Sequence, residues 1–223
     1  MKKLALLALF AASLCRLHAS GPVQTGTVTI DFLLGQISDN TGAAVADGSL
    51  LQVIASYDST TFAPPTAGSF LGGSTDETVL WQGAFDSATT GIPGAMTLSL
   101  ASLPVYSSAG TPGNFYLSAG ESVIVRWYPA LSGTSVPAGP GTAAFGQYGY
   151  TSLAGALLDS SWVVPSAGST VNLSLVTASA GGALPNADGY ATNTVPVPEP
   201  AATVALLGAA ALLLGLCARH RRS

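Results

Sequence analysis

Apolar and polar residues alternate along most of the chain between residues 27 and 175, and this period of two is typical of half-buried β-strands. In the first such run, Val28, Ile30 and Phe32 alternate with Thr27, Thr29 and Asp31. The same pattern predicts strands around residues 50–58, 79–85, 96–100, 123–128 and 171–175, with shorter ones at 114–117, 145–150 and 161–164. We therefore expect a mainly β protein with about seven to nine short strands.

Glycine-containing turns separate these runs. Asp47-Gly48, Ala119-Gly120 and Ala167-Gly168 each lie just before a predicted strand, where glycine can take a positive φ without steric cost. Short strands joined by such turns favour an antiparallel β-sandwich or jelly-roll-like domain, which we assign to residues 20–177.

Three segments lack the alternation and are rich in Pro, Gly, Ser and Thr. Residues 60–78 and 132–141 are predicted to be surface loops of the domain. Residues 178–197 contain Gly181-Gly182 and end in prolines, so they are predicted to form a flexible linker that lifts the domain off a membrane.

The first residues have the composition of a secretory signal peptide. Two lysines precede the apolar run 4–14, which is too short to cross a hydrocarbon core of about 30 Å. The small residue Ala19 ends the segment. We therefore predict a signal peptide over residues 1–19, with signal peptidase cutting after Ala19.

A second apolar segment lies near the C-terminus. Residues 201–218 are uncharged, and at 1.5 Å per residue they span about 27 Å, so they predict one transmembrane helix. Arg219, Arg221 and Arg222 follow at once and are expected to stay in the cytoplasm, which places the domain outside. A permanent single-span anchor remains one interpretation of this segment.

The residues before this helix make the pattern more specific. Val197, Pro198, Glu199 and Pro200, followed by the apolar run and the basic tail, resemble the PEP-CTERM sorting signal, here residues 198–223. The resemblance implies export by a Gram-negative bacterium that makes exopolysaccharide. It also implies recognition by an exosortase, a membrane cysteine protease that cuts near Pro-Glu-Pro. The precursor would be anchored in the inner membrane, and the mature form would lie at the cell surface or outside the cell.

The charges are unevenly distributed. All eleven acidic residues lie within residues 20–200, whereas Arg126 is the one basic residue in that range. Such an acidic domain repels phosphate backbones, so we predict no nucleic-acid partner. Arg126 is expected to pair with a carboxylate or to lie over an aromatic ring.

Residues 20–177 contain no His, Cys or Lys. This composition excludes Ser-His-Asp, Cys-His and Ser-Lys nucleophile systems and removes the usual ligands of zinc and haem. We therefore predict that the protein is not an enzyme and uses no catalytic residue, cofactor or metal. A glycosidase with two carboxylates remains an alternative. Its candidate residues are Asp76, Glu77, Asp86, Glu121 and Asp159.

Two ligand classes stay open for the domain. Asp39, Asn40 and Asp47 could offer oxygen ligands to calcium, although their spacing differs from that of a helix-loop-helix calcium loop. Aromatic rings could stack on sugars. Trp81 and Trp127 are predicted to lie in the core, and the less constrained candidates for a sugar platform are Tyr128, Tyr148, Tyr150 and Trp162.

Taken together, these features predict an exported surface or extracellular-matrix protein. Its β-domain would be a structural or interaction module associated with exopolysaccharide or biofilm. The expected partners are signal peptidase and exosortase during processing, the membrane through the C-terminal helix, and exopolysaccharide. A carbohydrate-binding, lectin-like module is the main alternative for the domain.

Overall fold

The computed structural model describes residues 21–57, 62–111, 113–149, 161–175 and 193–194. Ten strands and one short 3-10 helix, Ser87–Thr89, lie in these residues. The strands are β1 Gln24–Leu34, β2 Ser49–Ser56, β3 Glu77–Ala84, β4 Met96–Tyr106, β5 Gly110–Thr111, β6 Asn114–Phe115, β7 Ser122–Ser132, β8 Ala144–Gly149, β9 Thr170–Leu175 and β10 Asn193–Thr194. The longer strands coincide with the alternating runs of the sequence, so the prediction of a mainly β protein is confirmed.

The strands form two main sheets. One has three strands in the order β4-β1-β9, and the other has five in the order β10-β8-β7-β2-β3, while β5 and β6 pair separately. Neighbouring strands are antiparallel, as predicted, except that β1 and β9 are parallel. The sequence could not reveal this exception, because alternation shows which face of a strand is buried but not the direction of its neighbour.

A single apolar core lies between the two sheets. Ile30 and Phe32 of β1 enter it from the smaller sheet. Trp127 of β7 enters it from the larger sheet, is fully buried, and donates a hydrogen bond from Nε1 to the Ser38 carbonyl oxygen at 3.2 Å. Trp81 packs against the same core but is only partly buried. The two sheets therefore face each other as layers of a sandwich, and both tryptophans contact the core as predicted.

The outer face of the five-stranded sheet carries two apolar clusters and is covered by residues 62–75, which we call the covering segment. All eight residues of β2 are buried, so both faces of that strand are shielded from water. The sequence predicted a surface loop over residues 60–78, but the rings of Phe62 and Phe70 are buried against the sheet. The buried members of the two clusters on this face are Leu50, Phe70, Tyr128 and Phe145, and Ile54, Phe62 and Ile124.

The segment has the predicted loop backbone but not the predicted surface position, for a physical reason. Leaving an apolar sheet face exposed to water costs about 25 cal/mol per Å² of apolar area. Another part of the chain therefore covers this face. Proline and glycine gave the segment its loop backbone, while its two phenylalanines supply the cover.

The predicted signal peptide, residues 1–19, and the predicted transmembrane helix, residues 201–218, lie outside the described residues. Within the part of the chain that the structure describes, no helix is long and apolar enough to cross a membrane.

One piece of the predicted linker is a strand. Asn193 and Thr194 lie within residues 178–197 and form β10, which pairs antiparallel with Phe145 and Ala144 of β8. This part of the linker is therefore held at the edge of the larger sheet. The rest of the predicted linker lies outside the described residues.

Candidate functional site

The sorting motif follows the domain almost directly. β10 ends at Thr194, so only Val195 separates it from Pro196. The chain therefore leaves the edge of the five-stranded sheet immediately before the motif. The processing residues predicted from the sequence lie outside the described residues and are Ala19, Val197, Pro198, Glu199, Pro200, Arg219, Arg221 and Arg222.

A groove of about 550 Å³, which we call the outer groove, lies on the outer face of the three-stranded sheet, and Phe32 and Leu98 contribute to its lining. Its floor consists of two rows of outward-facing side chains. Each row contains one residue from each of the three strands. Register places Asp31 of β1 between Ser99 of β4 and Asn172 of β9. The second row is Thr97, Leu33 and Ser174. Hydroxyl, carboxylate and amide groups thus surround a single larger apolar side chain.

The groove contains one hydrogen bond between strands and one exposed leucine. The Ser99 hydroxyl donates a hydrogen bond of 2.5 Å to Asp31 Oδ1, which ties β4 to β1 across the first row. Leu33 is 51% exposed, so its side chain is available for contact from solvent. This group of side chains was not predicted from the sequence. Each residue is a polar or exposed position in an alternating run, but grouping them requires the strand order and register.

Arg126, predicted to meet a carboxylate or an aromatic ring, is buried beneath the covering segment. Its Nε and Nη2 donate to Gln147 Oε1 at 2.8 and 2.5 Å. Nη1 donates to the Phe70 carbonyl oxygen at 2.7 Å, and Nη2 to that of Ala63 at 3.0 Å. The guanidinium carbon also lies 5.5 Å from the centre of the Phe145 ring. Arg126 therefore fastens the covering segment to the sheet from below.

A buried carboxylate supports the same segment. Glu77 Oε1 accepts a hydrogen bond of 2.5 Å from the Ala63 backbone N–H, so both backbone polar groups of Ala63 are bound by buried side chains. Burial raises the pKa of Glu77, while the Ala63 hydrogen bond and the charge of Arg126 oppose the shift. The aromatic contact predicted for Arg126 is confirmed, whereas the attachment of the covering segment by Arg126 and Glu77 was not predicted.

The aromatic residues proposed as a sugar platform lie in the interior. Tyr128 and Trp162 are fully buried, and Tyr148 is 9% exposed. The rings of Tyr148 and Trp162 meet edge to face with centres 5.2 Å apart. The platform hypothesis is therefore wrong for these three residues, and Tyr150 lies outside the described residues.

The carboxylates proposed for a glycosidase have structural contacts. Glu77 and Glu121 are 7% and 5% exposed, and each accepts a hydrogen bond from a neighbouring segment or turn. Asp76 and Asp86 accept hydrogen bonds from residues in their own loops. Asp159 lies outside the described residues. Each of the four described candidates therefore contacts its own part of the fold.

The acidic turn proposed for calcium is held by hydrogen bonds of its own. Asp39 Oδ1 accepts from the backbone N–H groups of Thr41 and Ala43, and the Thr41 hydrogen bonds lower the pKa of Asp39. Asp47 instead binds the backbone N–H and the hydroxyl of Ser87. Among the described residues, no group of three or more His, Cys, Asp or Glu side chains could hold a metal ion.

Glu121 makes a testable contribution to pH-dependent stability. Burial raises the pKa of its carboxyl from 4.5 to about 7, with partial opposition from the Ser118 hydroxyl that donates to Oε1 at 2.8 Å. Below pH 4.5 the group is protonated in both the folded and unfolded states. Between pH 4.5 and 7 it ionises mainly in the unfolded chain, so the free energy of unfolding falls as the pH rises.

We therefore expect Glu121→Gln to gain stability relative to the parent between pH 5 and pH 8, by on the order of 2 kcal/mol. Urea unfolding of both proteins at several pH values measures this difference. Glu77 has its pKa raised in the same direction, so the parent-minus-variant difference, rather than the slope of either protein, isolates Glu121. A difference that stays constant with pH would contradict the assignment.

Comparison with known families identifies the C-terminal segment. The family described as the PEP-CTERM protein-sorting motif matches residues 196–222. No curated protein and no solved structure matches the chain. The matched segment contains the Pro-Glu-Pro element and the basic tail singled out from the sequence, and it begins just after β10. The chain therefore carries a PEP-CTERM sorting motif, the mark of an exported protein that is processed by an exosortase.

Proposed function

We propose that the β-domain is a non-catalytic interaction module of the cell surface or extracellular matrix, associated with exopolysaccharide. The observation that carries the proposal is the match of residues 196–222 to the PEP-CTERM sorting motif, because it directs the domain out of the cell. The lack of His, Cys and Lys in residues 20–177 supports a binding role over catalysis. The structural contacts of Glu77 and Glu121 point the same way.

The first test concerns processing. The full chain is expressed in cells with and without an exosortase, alongside a variant in which Pro198, Glu199 and Pro200 are all replaced by alanine. We expect the parent to lose its C-terminal segment only where the exosortase is present, and the triple variant to remain full length in the membrane fraction. Intact mass and fractionation measure both outcomes.

The control for this test is Pro185→Ala, which alters a proline upstream of the motif and is expected to be processed like the parent. Equal masses for the parent and the triple variant in exosortase-containing cells would contradict recognition of Pro-Glu-Pro. A full-length parent under all conditions would favour a permanent single-span anchor.

The second test concerns the matrix. The mature protein is expected to co-sediment with the extracellular matrix of cells that make exopolysaccharide and to stay in solution with cells that make none. Equal recovery from both kinds of cell would count against an association with exopolysaccharide, while leaving the processing result unaffected.

A further inference from the structure

We propose that the outer groove is a binding site for a neutral saccharide unit. This inference rests on the proposed function, since it names the ligand of an interaction module, but it is carried by the geometry of β4, β1 and β9. The groove lies on the face of the three-stranded sheet that points away from the core, opposite the buried side chains Ile30 and Phe32.

The dimensions of the groove suit one or two sugar rings. Neighbouring strands lie about 4.8 Å apart, so a row of three side chains spans about 10 Å, and the two rows lie about 7 Å apart along the strands. The volume of about 550 Å³ falls within the range of small-ligand sites, which is roughly 300–1,000 Å³.

The first row supplies the hydrogen-bonding groups that sugar hydroxyls need. Asp31 accepts one hydrogen bond from Ser99, and its carboxylate retains capacity to accept others. Asn172 is exposed beside it in register and offers both a donor and an acceptor. Adjacent sugar hydroxyls both donate and accept, so a carboxylate next to an amide can bind two of them together.

The second row supplies an apolar contact. Leu33 is 51% exposed and lies between the hydroxyls of Thr97 and Ser174. A pyranose ring has an apolar C–H face and a polar rim of hydroxyls. Placed over the groove, its C–H face meets Leu33 while its rim reaches hydroxyl groups on both sides.

Charge selects a neutral ligand over an acidic one. Asp31 is the charged side chain of the groove, and the one basic residue of the exported domain, Arg126, is buried between the five-stranded sheet and the covering segment. A uronate, sulfate or phosphate group would meet the Asp31 carboxylate without a cation to balance it, in a domain that is acidic throughout.

The side chains also favour a saccharide over a protein partner. Protein interfaces derive most of their affinity from buried Trp, Tyr and Arg anchors. The lining of the outer groove contains none of these types, and instead combines Ser, Thr, Asp and Asn side chains with two leucines and part of Phe32.

The test uses the full-length chain, purified in a polyoxyethylene detergent because detergents with sugar headgroups would compete for the groove. The probes are oligosaccharides from the exopolysaccharide of the producing organism, separated by anion exchange into neutral and uronate-containing fractions. Calorimetric titration should show binding of the neutral fraction and at least tenfold weaker binding of the acidic fraction.

Three variants locate the site. Asp31→Ala and Asn172→Ala should each weaken binding of the neutral fraction by about tenfold, since each removes hydrogen bonds to the ligand. Asp31→Asn keeps the shape of the side chain but removes its charge. It should therefore reduce the ratio of the affinity for the neutral fraction to that for the acidic fraction. Asn40→Ala, at an exposed asparagine that does not line the groove, is the matched control and should bind like the parent.

Several results would overturn this proposal. They are equal binding of the acidic and neutral fractions by the parent, no binding of either fraction, or neutral binding that the groove variants leave unchanged. Matrix association that survives complete digestion of the polysaccharide would also overturn it and would point to a protein partner. None of these results affects processing at the sorting motif. If groove variants still co-sediment with the matrix, the proposed function stands, but the outer groove is not the site that binds the matrix.

Discussion

Replacing Arg126 with methionine is expected to lower the free energy of unfolding by about 3–5 kcal/mol. The guanidinium donates to Gln147 Oε1 and to the carbonyl oxygens of Ala63 and Phe70. Methionine fills much of the same volume but leaves these buried acceptors without donors, at a cost of about 1–3 kcal/mol each. It also leaves the carboxylate of Glu77 without the attraction of Arg126. Urea unfolding followed by tryptophan fluorescence measures the loss.

Two further variants separate the parts of this effect. Arg126→Lys keeps the positive charge but loses the planar arrangement of five N–H donors. Its free energy of unfolding should therefore lie between that of the parent and that of the methionine variant. Asn40→Ala, at an exposed position, should change stability by less than about 0.5 kcal/mol. A methionine variant within about 1 kcal/mol of the parent would show that Arg126 does not hold the covering segment to the sheet.

Gly146→Ala is expected to lower the free energy of unfolding by about 3 kcal/mol or more, because the added methyl group overlaps a buried side chain. A Cβ atom built on Gly146 would lie 2.1 Å from Cζ2 and 2.2 Å from Cε2 of Trp127. That indole is fully buried between the sheets, so neither the ring nor β8 can move without opening the core. Urea unfolding and near-ultraviolet circular dichroism should report lost stability and a changed tryptophan environment.

Gly68→Ala is the matched control for this prediction. A Cβ atom on Gly68 would have no atom within 4 Å, so the same chemical change should be nearly neutral there. If Gly146→Ala and Gly68→Ala were equally stable, the close packing of Trp127 against β8 would be contradicted.

Local pattern predicted the strands because burial on one face leaves a period of two in the sequence. Ile30 and Phe32 face the core and Asp31 faces away, as their alternation required. The pattern of β2 was harder to interpret, because Leu50 and Ile54 are buried on the outer side as well as Leu51 on the inner side. A strand with two apolar faces indicates a second layer, but not which segment provides it.

Properties that depend on distant parts of the chain could not be predicted. The outer groove joins Asp31, Ser99 and Asn172 through strand pairing, and nothing local to any of the three residues specifies the others. Arg126 was noticed as an isolated charge, but its partners are mainly backbone carbonyl oxygens, which carry no sequence signal. The sorting motif is the opposite case, since its recognition depends on a short continuous segment.

The parallel pairing of β1 with β9 determines when the three-stranded sheet can be completed during folding. Thr29 pairs with Thr170, so the central strand of the smaller sheet pairs with a strand about 140 residues later in the chain. A polypeptide that emerges from its N-terminus therefore exposes β1 long before that sheet can be completed. Contacts between such distant residues slow folding. The strand that completes the smaller sheet, β9, ends at Leu175, about 20 residues before the sorting motif begins.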